Sequence, residues 1–305
     1  MTITIAWVRR VKDTSELILA SDSRLRAFGP MDQAQKLYPL KRGDSALAFC
    51  GDTSVAYPFF LQAASALDGF IKTRTRASDV RDTAHSLSKV LNNLISSWDA
   101  TSVDKTDQLK DTRILFAGWS WRKSEFVIGF FKFIDRKFRF IQSSENLSKP
   151  WVEKNPSLIV LGDYRAEYMA TLGKLLSDRR QTYSRWTRQL IDFQYDPLEA
   201  LSALLKVHGN DRSSLIGGAP QLIKIYPHSN TLPIVTRLSF DDHYLFGRKM
   251  FEWEKTEYPI ADLTGLATKF FYPLSHVPPP ASVNAAEGTQ SLRTLIKFFT
   301  ARGTP

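Results

Sequence analysis

The 305-residue chain has only one cysteine, Cys50, so no disulfide can form within it, and a lone thiol fits a reducing compartment. It also lacks long apolar runs. The longest, Phe126 to Phe131, contains Gly129 and falls far short of the ~18 residues a membrane span needs. Arg9 and Arg10 follow the first apolar residues instead of preceding them, which is the wrong order for an export signal. Together these absences lead to the expectation of a cytoplasmic protein with no membrane partner. The five histidines (His85, His208, His228, His243 and His276) show no paired ligand spacing. Gly217-Gly218-Ala219-Pro220 leads into a strand and not a helix, so it is no phosphate loop. Neither a metal nor a cofactor is expected.

What the chain does have is apolar material: 43% hydrophobic and 12% aromatic residues, which excludes a disordered protein. A chain of this length buries about three quarters of its unfolded surface and needs no metal or disulfide staple. The formal charge is +10. The basic residues are scattered, however, and the densest stretch, Arg136-Lys137-Phe138-Arg139, alternates with aromatics as a strand with one solvated face would. Nucleic acid is therefore not the expected partner.

The order of elements is informative. Thr2 to Val8 and Glu16 to Ala20 read as strands joined by a longish charged turn, and Lys36 to Leu40 and Ala46 to Cys50 as a second pair. Two amphipathic helices follow. The first, from Ser54 to Lys72, places Pro58 in its first turn; the second, from Asp79 to Trp98, has Ser78 as its N-cap. Strands are expected at Arg113 to Trp119, Glu125 to Ile134, Lys137 to Gln142 and Ser157 to Leu161. Helices are expected from Arg165 to Leu176 and from Pro197 to Val207, then strands Leu222 to Tyr226 and Ile234 to Leu238. This alternation suggests the α+β class: two antiparallel sheets packed together with helix pairs outside, a four-layer αββα sandwich over residues 1–245. Residues 246–305 form a C-terminal extension, with a Pro278-Pro279-Pro280 linker and a short tail helix carrying Leu292, Leu295, Ile296, Phe298 and Phe299.

The chemistry starts at residue 2. Removal of Met1 would leave Thr2 at the N-terminus, where a hydroxyl nucleophile and its own α-amino base share one residue. Three segments add to it. Leu17 to Arg24 (LILASDSR) ends a strand in Asp22, Gln35 to Leu40 (QKLYPL) opens a strand with Lys36, and Ala48 to Ala56 (AFCGDTSVA) turns from strand to helix at Gly51.

In that order these segments resemble the proteasome β-subunit family and its simpler bacterial relatives, which are N-terminal-nucleophile hydrolases with the four-layer fold. The resemblance covers residues 2–72 by motif and 112–240 by element order. It implies that Thr2 attacks an amide carbonyl, that Lys36 lowers the pKa of the Thr2 groups and that Asp22 holds Lys36. It further implies that the Gly51 N–H stabilises the oxyanion, and that Phe49 and Thr53 line an apolar specificity pocket. The family's later Asp-x-x-Ser-Gly-Gly corresponds best to Asp211 and Ser214, although Gly217-Gly218 comes late; aligning on the glycines puts Ser213 at the Asp position instead. Where the family has a serine supporting the N-terminus, this chain has Asp163. The expected activity is hydrolysis of a peptide or amide substrate by a homo-oligomer, with an unfoldase as a candidate partner. A catalytically inactive subunit of the same fold is the alternative. Lys36 is expected to pack like a surface lysine, so that its removal costs activity and spares the fold.

Overall fold

The computed structural model describes residues 2–26, 29–98, 104–143, 157–179, 193–228, 230–265 and 267–271. They form a mixed α+β structure with two largely antiparallel sheets and six helices. The first hairpin pairs β1 (Ile3–Val11) with β2 (Thr14–Ser21). Its turn is only Lys12-Asp13, not the longish loop expected, because the ladder continues through Arg9 opposite Glu16 to Val11 opposite Thr14. Lys12 takes φ +53° to close it.

β3 (Leu37–Pro39) and β4 (Ser45–Cys50) open the second sheet. The helices α1 (Thr53–Gly69), α2 (Ile71–Arg74), α3 (Val80–Ser96) and α4 (Asp104–Asp111) follow. Two expected details shift. The cap of α3 is Asp79, whose side chain accepts from the Arg81 N–H, so Ser78 lies one residue outside. Asp52 caps α1 in the same way, which places Pro58 in the second turn, and the helix breaks at Phe70 before α2. β5 (Arg113–Ser120), β6 (Glu125–Ile134) and β7 (Lys137–Gln142) complete the sheet in the order β3-β4-β5-β6-β7.

β8 (Leu158–Gly162), α5 (Arg165–Asp178), α6 (Asp196–His208), β9 (Gln221–Tyr226) and β10 (Asn230–Arg237) return the chain to the first sheet. There β1 lies between β2 and β8, and β9 joins β2 to β10. The short strands β11 (His243–Leu245), β12 (Arg248–Lys249), β13 (Ile260–Asp262) and β14 (Lys269–Phe271) extend the β10 side. The expected boundary at residue 245 thus falls in the turn of the β11–β12 hairpin. The proline-rich linker and tail helix lie outside the described residues. Among those described, no helix is long and apolar enough to cross a membrane.

Alternation along the strands sorts the core into three clusters. Ala6, Leu19 and Ile223 of the first sheet meet Ala48, Leu115 and Phe130 of the second. On its other face the first sheet packs Ile5, Trp7 and Val160 against Tyr168 and Leu172 of α5 and Leu201 of α6. The second sheet packs Leu47, Phe116 and Phe131 against Phe60 of α1 and Leu87 and Leu91 of α3.

Candidate active site

Period-two alternation on β1 gives Thr2 and Thr4 the same face as Ala6, which looks toward the second sheet. Thr4 Oγ1 donates to the Phe49 carbonyl at 3.1 Å, tying the start of β1 to the end of β4. Asp22 follows β2 directly. It exchanges bonds with Ile3: the Ile3 N–H donates to Asp22 Oδ1 (3.1 Å) and the Asp22 N–H to the Ile3 carbonyl (3.3 Å). Lys36 stands just before β3, and its Nζ donates to Thr2 Oγ1 at 2.8 Å and to Asp22 Oδ1 at 2.9 Å. Three residues far apart in sequence thus converge on one ammonium group.

All three side chains are buried; Lys36 and Asp22 have 0% side-chain exposure. Burial lowers the pKa of the Lys36 ammonium, and the Asp22 carboxylate opposes that shift. An ion pair held away from water is a poor way to gain stability, because desolvation offsets the attraction. Its geometry makes a hydroxyl the second partner of the ammonium, and clusters of this kind are characteristic of functional sites.

The Thr2 nitrogen is held from the opposite edge. Its N–H donates to Asp163 Oδ2 at 2.9 Å, and the Asp163 N–H returns a 2.9 Å bond to the Thr2 carbonyl. Gly162, at φ +101°, permits this closeness, since any Cβ there would run into the Thr2 carbonyl oxygen. Asp163, at first sight a departure from the resemblance, is therefore the described residue that holds the nitrogen. Beside it opens a cavity of about 550 Å³, lined in part by Cys50, Gly51, Asp52, Gly162 and Asp163. Gly51 turns β4 toward α1 at φ +113°, and a Cβ there would run into the Asp111 and Thr112 backbone. Burial pushes the Cys50 thiol up to about 12, so it stays protonated and is no nucleophile.

The other expected site residues are dispersed. The Phe49 ring lies in the helix-side core, with ring centroids 5.5 Å from Tyr57 and 5.0 Å from Phe60. Thr53 begins α1, one residue beyond the cavity-lining Asp52. The Asp211 carboxylate is turned to the surface, where it accepts from the N–H and hydroxyl of Ser213, and these bonds lower its pKa. The buried Ser214 hydroxyl accepts from the Ile216 N–H at 3.3 Å and meets the Tyr164 hydroxyl at 3.4 Å. This loop reaches the cluster through Gly217, whose N–H donates to Asp22 Oδ2 at 3.2 Å.

Two positioning residues carry no signal of their own in the sequence. The Gln221 side chain accepts from the Lys36 N–H at 2.9 Å and donates to the Asp22 carbonyl at 3.1 Å, fixing the two segments together. Arg24 is buried; it pairs with Asp32 and donates to the carbonyls of Gly209, Asp211 and Ile216, which sets the loop that supplies Gly217. Its only hint in the sequence is its place two residues after Asp22. Among the described residues, no group of three or more His, Cys, Asp or Glu side chains is placed to hold a metal ion. No model of a known protein family matches the chain, and no characterised protein matches its sequence.

Proposed function

We propose that this chain is an N-terminal-threonine amidohydrolase of the proteasome-like kind, acting on peptide or amide bonds. The observation that carries the reading is the fully buried Lys36 Nζ shared between Thr2 Oγ1 and Asp22 Oδ1. The finer fold belongs to the same proposal: two facing sheets, with α5 and α6 outside one and α1 and α3 outside the other, make a four-layer sandwich. So does assembly into a homo-oligomer.

Once Met1 is removed, the Thr2 hydroxyl adds to the scissile carbonyl and gives its proton to the Thr2 amine. The positive charge of Lys36 favours the developing alkoxide, and Asp22 keeps that charge in place. Gly51, in the lining of the cavity, is the candidate oxyanion donor, a role worth about 3–4 kcal/mol in acyl transfer. The leaving amine takes the proton from the Thr2 nitrogen. Water, deprotonated by the same nitrogen, then cleaves the Thr2 ester.

Asp163 favours a second reading, an inactive subunit of this fold. A carboxylate 2.9 Å from the Thr2 nitrogen stabilises an ammonium there, and an ammonium cannot act as a base. One experiment separates the two readings. The active reading expects an intact mass lacking Met1, one equivalent of a threonine-directed electrophile bound at residue 2, and no labelling of Thr2→Ala. A processed chain that resists the electrophile throughout pH 6–10 supports the inactive subunit. Labelling that persists in Thr2→Ala removes Thr2 from the site.

A further inference from the structure

The cavity next to Thr2 has an unusual wall. Arg113 on β5 and Lys132 on β6 are directly opposed in the antiparallel register, and both line it. Like charges at directly opposed positions destabilise a sheet by up to about 1 kcal/mol. Lys132 is also opposed on its other side by Arg139 of β7, which has its own partner in Asp135 at 2.9 Å. Alternation puts Lys132 on the same face as Phe130, and Arg113 on that of Leu115, so both cations face the gap between the sheets. Burial lowers the pKa of Arg113, and the nearby Asp111 carboxylate only partly opposes that shift.

Among the described residues, neither cation has a salt bridge. The Arg113 guanidinium donates Nη1 to the carbonyls of Lys110 and Thr112, and among the described residues the Lys132 ammonium has no hydrogen-bond or ion-pair partner. The acids around the cavity are mostly engaged elsewhere. Asp52 caps α1 through Ser54, and Asp163 holds the Thr2 nitrogen. Asp111 is an exposed residue of the lining, and Arg165 adds a third cation to it. Two half-buried cations without a directly bonded carboxylate, forced side by side in a concave space, are what an anionic ligand would stabilise.

We propose that this cavity binds a carboxylate of the substrate, so that the enzyme prefers acidic peptides, with Arg113 and Lys132 as the specificity-determining pair. The inference rests on the reading of Thr2 as nucleophile only for its proximity to the reaction. It is tested by binding, which needs no turnover.

The test uses full-length Thr2→Ala with fluorescent peptides of one sequence. One carries an internal Glu with an amidated C-terminus; the second carries Gln in its place. A third carries Gln with a free C-terminal carboxylate. One or both acidic peptides should bind at least about tenfold tighter than the neutral one, as expected for a charge-assisted hydrogen bond. Whichever acidic peptide is preferred identifies the source of the carboxylate. Lys132→Gln and Arg113→Gln should each reduce the preference, while affinity for the neutral peptide stays within about twofold. The Lys132 side chain is partly solvated and has no partner among the described residues, so its replacement is not expected to disturb folding, and a circular-dichroism melt checks this. Equal binding of all three peptides overturns the proposal, as does a preference that survives both substitutions. An acidic preference in a wild-type protein that hydrolyses none of the peptides keeps the site and defeats the proposed function instead.

Discussion

Lys36→Met removes the ammonium and leaves Asp22 as a fully buried carboxylate without its counter-charge. Breaking a buried pair from one side costs about 3–5 kcal/mol. Asp22 keeps three backbone donors, from Ile3 and Arg24 at 3.1 Å and Gly217 at 3.2 Å, which places the cost at the low end, about 3 kcal/mol. In a chain of this size that lowers the melting midpoint by about 6–12 °C. Adding Asp22→Asn removes the stranded charge, so the double variant should recover about 2 kcal/mol, a coupling that only contacting residues show. Urea unfolding of the four proteins measures it, provided the denaturant slopes agree. The pH dependence adds a second check. The folded-state pKa of Lys36 lies below its ordinary 10.5, so just below that pH the unfolded chain binds more protons than the folded one. Wild-type stability should therefore rise relative to Lys36→Met as pH climbs toward 10.5, and the penalty of charging Lys36 is present in full below its folded pKa. A Lys36→Met variant within about 1 kcal/mol of wild type, or strict additivity in the double variant, would refute the argument.

Three further outcomes follow from the same geometry. Asp163→Ser takes the carboxylate away from the Thr2 nitrogen, so the onset of hydrolysis should move to lower pH, Lys36 being the opposing charge nearby; an unmoved acidic limb in the pH–kcat/KM profile contradicts this. Gly51→Ala puts a Cβ 2.5 Å from the Asp111 carbonyl oxygen at φ +113°, and should cost about 1–3 kcal/mol together with most activity; a variant as stable as wild type in urea counts against the strained turn. Cys50, with its thiol pushed up to about 12, should resist alkylation at pH 8 in the native protein and react in urea, whereas rapid native labelling would show that burial does not keep the thiol protonated.

The sheets were readable in the sequence because their strands are long runs of β-branched and aromatic residues whose alternation matches the two faces they bury. Helices α1 and α3 were equally plain from their periodicity. Helix α4 was not, since Asp104–Asp111 is almost wholly polar and buries chiefly Leu109, leaving no apolar stripe to read. Strands β11 to β14 are two or three residues each, too short for a period to emerge. In the site, the spacing of Thr2, Asp22 and Lys36 was legible because each sits at a strand end. The burial of Lys36 was not. It was expected to pack like a surface lysine and is instead enclosed by Thr2, Asp22 and the clamp from Gln221. Asp211 looked suitable by spacing, but its carboxylate turns back on Ser213, a local bond that spacing cannot reveal.

The placement of β1 inside its sheet bears on the order of events in the cell. Thr2 is bonded to a partner 161 residues further along the chain, and in the finished fold it has no exposed surface. At translation rates of about 5–20 residues per second, roughly 8–30 s separate the emergence of the two. An aminopeptidase that trims Met1 would have that interval before β8 pairs with β1 and Asp163 bonds the Thr2 nitrogen. Under the proposed function, maturation of Thr2 would thus be a race between an exopeptidase and the ribosome. A Met1-bearing chain that has already folded should stay untrimmed when the aminopeptidase is added, and ready trimming of that folded chain would show that the end remains accessible.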